Sequence, residues 1–452
     1  MHPLEKRILL PPDLKSINSW GDYKKLGGFK ALEKARSMAR PDIIAEVKKA
    51  NLRGRGGAGF PTAIKWDTVS KAPDPKKFLV CNFAEGEPGT YKDRYLASKN
   101  PYIILEGMLI AAYAIDAKQA IIGTKEKFKP IVKRVQRAIK EMEDDGVIQP
   151  GYLRLVLGPD EYLLGEEKGL LEVIDGRAPM PRFFPPFLYG VGVGPTETNP
   201  AVVNNAETMS HVVHIIRNGA DWFRSMGTQD TPGTIMLSLS GDLKRPGMYE
   251  VEAGLTVRQM LYDLAGGPSS DKPIKAVFSG VANRVMTPDQ FDLKVDFGTL
   301  RAAGVGLGSA GFMVYDQSRN MIEVAWLFSK FLAVSSCGQC IPCSMGTRVI
   351  TEYLTKLRDG HGSRKDIEAI LIETGRCTNQ TRCFLPTQES VLIRSVIEKF
   401  REEFNYYADN KISCHSGTLV IPKLESYDEE AGQFVVESDP KEFREEYAYI
   451  GQ

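Results

Sequence analysis

Net charge is almost absent from this chain: 58 basic side chains against 57 acidic ones leave its 452 residues at +1. Nothing in that balance draws it to nucleic acid or an anionic membrane, so neither is expected as a partner. Long apolar runs are missing too. The longest, Tyr102 to Ile115, is interrupted by Glu106 and falls short of the roughly 20 residues a bilayer span needs, so it reads as a buried helix. Met1 to Ser19 carries Glu5, Lys6, Arg7, Asp13 and Lys15 and lacks the apolar core of a secretory signal. A cytoplasmic protein without direct membrane insertion is expected, peripheral to a membrane only through partners. No internal repeat is visible, and the seven cysteines do not form the even, dispersed set of a disulfide framework.

What is present divides into blocks. Hydrophobic residues make up 42% and charged residues 25%, ordinary for well-filled cores, and the length suggests two to four domains. Residues 1–50 read as an N-terminal extension with one helical piece around Phe29 to Ser37. Over 51–230, strand-like runs at Lys77–Asn82, Ala120–Gly123 and Tyr152–Leu157 alternate with helical stretches, among them an amphipathic one carrying Ile131, Val135, Ala138, Ile139 and Met142. That order predicts an α/β domain with a largely parallel sheet and ligands at the carboxyl ends of its strands. Residues 231–317 read as a small α+β module: a hairpin around Lys244–Gly247, a short helix Val257–Ala265 ended by Gly266-Gly267, and further strands. Residues 318–406 look all-helical, with helices near 321–333, 345–358, 364–373 and 388–405 forming a four-helix bundle. Residues 407–452 form a polar, acidic tail.

Five of the seven cysteines lie within 47 residues. Cys337, Cys340 and Cys343 form a CxxCxxC run, and Cys377 and Cys383 follow. Three thiolates at that spacing wrap the corners of a cubane that a distant fourth closes, and Gly338 and Pro342 suit the tight turns required. The alternative is a four-cysteine zinc site, which more often pairs two separate CxxC knuckles. Spacing alone leaves Cys377 and Cys383 as rivals for the fourth ligand. Cys81 and Cys414 read as plain thiols.

A second constellation starts at Gly54-Arg55-Gly56-Gly57-Ala58-Gly59-Phe60, where glycines let backbone N–H groups approach a phosphate or a flat ring. Lys65 and Trp66 follow. At the end of the first strand stand Asn82, Glu85 and Glu87, whose carboxylates could bind ribose or ring N–H groups; a solvated charged turn is the plainer reading of that segment alone. Tyr162, Gly165, Glu166 and Glu167 repeat the aromatic–glycine–acid chemistry, and Asn204 and Asn205 add paired amides.

Taken in order, GRGGAGFPT, NFAEGEPGTYKDR, GEE, PPF, VVNNAET and SCGQCIPC with one later cysteine resemble the NADH-binding flavoprotein subunit of respiratory complex I and its relatives in NAD-linked hydrogenases, formate dehydrogenases and other soluble reductase complexes. The resemblance covers residues 50 to 400. It implies a Rossmann-like FMN domain, a β-grasp domain at 231–317, and a 4Fe–4S cluster on Cys337, Cys340, Cys343 and Cys383, since the family's fourth ligand sits in a T-x-C segment. FMN contacts are implied at Gly54, Arg55, Gly56, Lys65, Asn82, Glu85, Tyr162, Gly165, Glu166, Asn204 and Asn205. NAD(H) contacts are implied at Gly57, Phe60, Glu87, Glu167 and Phe187, with Glu87 and Glu167 the expected catalytic pair. The implied activity is an NADH dehydrogenase, or diaphorase, that passes hydride to FMN and single electrons onward. The implied partners are a thioredoxin-like 2Fe–2S subunit and further redox subunits of a hetero-oligomer. Three positions depart from the family: Ala84 stands for an aspartate, Phe184 for a lysine, and Thr68 for an aromatic. The loop between Phe187 and Val202 is also longer by about four residues. These departures define an alternative, a flavin and iron–sulfur conduit or scaffold with altered or lost NADH chemistry.

Overall fold

Four short apolar runs form one sheet in the computed structural model, which describes residues 2–444 apart from Val193, Pro195, Thr196 and Gln380. They are Phe78–Phe83 (β1), Gln119–Lys125 (β2), Leu153–Gly158 (β3) and Ala201–Asn205 (β4). The order is β3-β2-β1-β4 and every pair is parallel. Parallel pairing follows from the connections, because each crossover carries a helix: Pro101–Ala114 before β2, Lys129–Asp144 before β3. The chain runs outward through β2 and β3, then returns to place β4 on the other side of β1. That reversal opens a crevice at the carboxyl ends of β1 and β4, where sheets of this kind take their ligands. The first three strands lie where the sequence places them; β4 is the segment whose paired amides alone stand out in the sequence.

The segment before Asn51 is no loose extension. It forms helices Trp20–Lys25, Lys30–Ser37 and Arg40–Lys49, and Leu9, Trp20, Tyr23, Ile43 and Val47 are buried in the same core as the sheet. Two buried carboxylates hold it. Glu106, the charge that interrupts the apolar helix, accepts from the Tyr23 hydroxyl at 2.5 Å and from the Phe29 and Leu32 N–H groups at 3.0 Å. Glu250 accepts from the N–H groups of Ile8, Leu9 and Leu10 at 3.0 Å. Carboxyl oxygens suit these orphan donors at chain turns and helix starts.

A second, mixed sheet follows: Thr234–Gly241 (β5), Gly247–Glu252 (β6), Ile274–Ser279 (β7) and Gly311–Asp316 (β8), in the order β6-β5-β8-β7. β5 and β8 are parallel and the outer pairs antiparallel. The helical unit comprises Met321–Ser335, Ile341–Arg358, Arg364–Arg376 and Leu385–Lys399, then Arg401–Asn410, so the helix expected over 388–405 is broken in two at Phe400. The tail also departs from expectation. Leu424–Asp428 (β9) and Gln433–Val436 (β10) make an antiparallel hairpin whose Tyr427 and Phe434 pack edge-on against Tyr95 and Tyr91 of the first unit. No helix among the described residues is long and apolar enough to cross a membrane.

Candidate functional site

The glycine-rich loop lies over the β1/β4 crevice. Its neck is closed by the Gly54 N–H donating to the Phe60 carbonyl at 2.9 Å and by a bridge between Arg53 and Pro61. A side chain at Gly56 would place its Cβ 3.2 Å from the Asn205 Cβ, a tight contact that would crowd the loop against the strand end. Gly57 takes φ +132°, a backbone region open chiefly to glycine.

Around this loop the expected residues separate into two groups. One group is gathered around the crevice. Lys65 bridges it, donating to Glu167 Oε2 at 2.7 Å and to the Val203 carbonyl at 3.2 Å, and its ammonium stands 5.9 Å from the Phe60 ring centre. Asn82 donates to the Gly165 carbonyl at 2.7 Å and accepts from the Ala84 N–H. Asn204 accepts from the Trp66 indole at 2.8 Å. Phe60 and Phe187 are close to half exposed.

The other group is already committed inward. Arg55 is buried, donating to the Pro232 and Thr234 carbonyls, and burial holds its guanidinium down at about 10. Glu85, expected to meet ribose or a ring N–H, instead pairs with Arg94 at 2.7 Å and accepts from the Asp93 N–H. Glu87, expected as a catalytic acid, has both oxygens engaged, by the Val281 N–H at 2.7 Å and the Tyr162 hydroxyl at 2.6 Å; burial raises its pKa. Glu166 caps helix Glu167–Ile174 through the Lys168 and Gly169 N–H groups, and burial raises it to about 7. Asn205 caps helix Ala206–Asn218, donates to Asp93 at 2.6 Å and accepts from Lys92 at 3.1 Å. The physical reason is common to Glu85, Glu87, Glu166 and Asn205: a buried charged or amide group is costly unless backbone or a counter-ion satisfies it, whereas Arg55 keeps two buried donors, Nε and Nη1, without a partner among the described residues. Lys92 and Glu207 complete that network at 2.9 Å. Reading the sequence by motif passes over both, although the charged KDR triplet and the acid after the paired asparagines are the available signals.

The segment Tyr162–Glu167 joins the crevice to a hollow in the helical unit. Tyr162 packs edge-on against Phe331 at 5.1 Å, Leu163 lines the hollow, Gly165 accepts from Asn82, and Glu167 pairs with Lys65.

That hollow is lined by Cys337, Cys340, Cys343 and Cys383 together with Leu163, Ser336, Arg382, Leu385 and Pro386. Cys377 is not on it, lying buried with its sulfur 3.2 Å from where a Gly346 Cβ would stand. Gly338, at φ +78°, makes the turn between the first two cysteines, and Cys343 sits in the first turn of Ile341–Arg358, where the helix dipole favours negative charge. Ser336 and the Gln339 amide lie 3.3 Å from the sulfurs of Cys343 and Cys337. Burial pushes the Cys343 and Cys383 thiols up to about 11 and about 12, so thiolates there call for a cationic centre to compensate them. Among the described residues no three such ligands converge on a point fit for one ion. The four sulfurs ring a space instead, as ligands of a polynuclear cluster must. The departures are also placed. Ala84 is buried, Thr68 is exposed and bonded to the Ile64 carbonyl, and Phe184 stacks on Tyr189 at 4.8 Å. The lengthened loop after Phe187 includes Val193, Pro195 and Thr196, outside the described residues.

A parallel sheet with a glycine loop at its switch point, joined to helices that gather four thiols, is the build of a flavin and iron–sulfur protein. Residues 47–214 match the Nuo51 FMN-binding domain, and residues 323–407 match the NADH-ubiquinone oxidoreductase-F iron-sulfur binding region. The chain is 37% identical over 410 residues to the NADH-quinone oxidoreductase F-2 subunit of Rhizobium meliloti, covering 88% of this chain and 97% of that one. The corresponding F-type subunit of Aquifex aeolicus is 34% identical, with 88% and 93% covered. Among solved structures, an NAD+-reducing [NiFe]-hydrogenase in the H2-reduced state superposes with a TM-score of 0.77 at 31% identity, over 86% of this chain and 65% of that one. The chain belongs to the family of F-type subunits of NADH-quinone oxidoreductase, and the iron–sulfur match takes the place of the zinc alternative.

Proposed function

We propose that this chain is an NADH dehydrogenase-type subunit that moves electrons between NAD(H) and a partner subunit through FMN and a 4Fe–4S cluster. The observation that carries the reading is the Tyr162–Glu167 segment. Leu163 is at the cysteine hollow and Glu167 at the glycine loop, and four residues of chain span at most about 14 Å. Electrons arriving at one place are therefore within short reach of the other.

When bound, the flavin accepts hydride from the nicotinamide and passes electrons on singly. The protein's part is positional. The N–H groups of Gly54 to Gly57 approach the flavin phosphate and ring, with Asn82, Asn204, Gly165 and Lys65 around them. Phe60 and Phe187 offer faces for the nicotinamide, and Glu167, held by Lys65, orients it. Glu87 and Tyr162 act one step back by tying the turn after β7 to the Tyr162–Glu167 segment, while Arg55, Glu85, Glu166 and Asn205 fix the backbone on which those contacts depend. Cys337, Cys340, Cys343 and Cys383 are the cluster ligands. The second sheet is a β-grasp domain and the helices at 318–406 a four-helix bundle, within the division 1–50, 51–230, 231–317, 318–406 and 407–452. The acceptor is a redox subunit of a hetero-oligomer, with a thioredoxin-like 2Fe–2S protein the favoured kind.

An anaerobic absorbance spectrum of the purified protein, before and after NADH, tests this. Flavin and cluster bands that bleach with NADH are expected. Bands that respond to dithionite and not to NADH would establish the conduit alternative, which the stacked Phe184–Tyr189 pair favours because an aromatic stack replaces the family's cation there.

A further inference from the structure

Glu389 is fully buried in helix Leu385–Lys399, one turn beyond Leu385, which lines the four-cysteine hollow. Its Oε1 bonds to the Ser329 hydroxyl at 2.6 Å, and Oε2 has no partner among the described residues. The charged groups on the helices around it turn elsewhere: Arg358 to Asp359, Glu373 to Arg376, Arg394 to the Leu371 carbonyl, Glu403 to Lys275. Lys330, on the same helix as Ser329, does not bond to it either. The titratable groups that feel its charge are the thiols of Cys377 and Cys343.

A proton count fixes its state. Glu389 contacts Ser329 at 2.6 Å, Ser329 contacts the Thr351 hydroxyl at 2.7 Å, and Thr351 donates to the Thr347 carbonyl at 2.8 Å. Three hydrogen bonds need three protons, and the two hydroxyls supply one each. The third sits on the carboxyl group. With it in place, every donor points one way, from Glu389 through Ser329 and Thr351 to Thr347, whose own hydroxyl donates to the carbonyl of Cys343 at 2.9 Å. Burial acts in the same sense and raises Glu389 to about 8.

We propose that Glu389 is a resident acid whose proton is coupled to the electron held at the four cysteines. This rests on those cysteines holding the cluster. An added electron holds the proton more tightly; loss of the electron lets the carboxylic acid ionise to carboxylate, with the proton passing to solvent.

The test is the cluster's midpoint potential in the holoprotein, read by electron paramagnetic resonance between pH 6 and 10. The wild-type potential should be level near neutrality and fall once the pH passes about 8, because an ionised neighbour opposes reduction. Glu389→Gln should give a level line and remove a protonated-carboxyl C=O band from the infrared spectrum. A level wild-type line, or a fall that survives in Glu389→Gln, overturns the proposal. If Glu389→Gln fails to assemble a cluster, Ser329→Ala decides. Ser329 accepts from the carboxylic acid and turns to donate to the carboxylate once the proton is lost; the bond to the charged form is the stronger, so removing the hydroxyl should move the break to higher pH, and an unmoved break refutes the coupling. A wild-type protein without any cluster signal refutes the parent reading instead, so the two failures are distinguishable.

Discussion

Lys92 is the cation on which the inner wall of the crevice depends, and replacing it with methionine should show how far. Its side chain is 1% exposed, and its ammonium lies 2.9 Å from Asp93, 2.9 Å from Glu207 and 3.1 Å from the Asn205 amide oxygen. Methionine fills nearly the same volume, so the loss is electrostatic: two buried carboxylates are left without their common partner. Removing one member of a buried ion pair costs about 3–5 kcal/mol, and that is the expected loss of unfolding free energy by chemical denaturation at pH 8. The deficit should shrink toward pH 5, where the stranded carboxyls can take up protons. Asn205 loses its bond to the ammonium and keeps those to Asp93 and Glu207. If about 1.4 kcal/mol of the disturbance reaches the loop, FMN binding weakens tenfold in a fluorescence titration. Lys99→Met is the control. Lys99 is also buried, but its partner Glu429 is 47% exposed on the side-chain scale and can turn to water, so its loss should be much smaller. A Lys92→Met deficit below about 1 kcal/mol, or one equal to that of Lys99→Met, would refute the assignment of Lys92 as the common counter-ion.

Three further outcomes are expected. Cys383→Ser should lower iron and acid-labile sulfide by a full cluster's worth, whereas Cys377→Ser should leave both at the wild-type level, because Cys377 lies off the hollow. Glu167→Gln breaks the pair with Lys65 across the crevice; KM for NADH in dye reduction should rise several-fold while flavin content stays near wild type. Burial raises Glu250 to about 7, so between about pH 4.5 and 7 it holds a proton in the folded protein while the unfolded chain ionises, and above that it is the carboxylate that accepts from Ile8, Leu9 and Leu10. Its stabilising contribution is therefore complete below about pH 4.5 and lost as the pH rises to 7. The denaturation midpoint of wild type relative to Glu250→Gln should fall across that window and level off above it.

The parallel sheet was legible because β1 and β2 are short apolar runs and β3 alternates, with helical periodicity between them. β4 was not, because Val202 and Val203 are a short core flanked by asparagines whose composition looks like a loop. Only pairing with β1 makes Ala201–Asn205 a strand, and pairing is long-range information. Of the N-terminal helices, the one around Phe29 to Ser37 was legible, and Trp20–Lys25 and Arg40–Lys49 were not. How the legible one is anchored was hidden, because its start is held by a carboxylate more than seventy positions away, Glu106, which the sequence shows only as an interruption in an apolar helix. The cysteine spacing was legible as a cluster signal, but spacing could not choose between Cys377 and Cys383, since both lie at a reachable separation and only the fold turns one of them to the hollow.

The acidic residues after β1 show where reading chemistry from residue type reaches its limit. Glu85 and Glu87 stand at the right end of the right strand, and a free carboxylate there would meet a ribose. The structure gives each a partner: Arg94 nine positions on for Glu85, and the Val281 N–H in the turn after β7 for Glu87. Each of these oxygens accepts one bond and keeps a second lone pair, so a ligand reaching either carboxylate would share it with these partners. Glu87 also makes a specific link, joining the Tyr162 hydroxyl to the turn after β7. Lys65, Glu167, Phe60 and Phe187 are partly open to solvent, Thr68 and Phe184 are exposed as well, and the inward-facing charges form closed pairs. Donor or acceptor preference in this chain should accordingly be altered by substitutions on the exposed aromatic rim, and flavin retention by substitutions in the buried network beneath it.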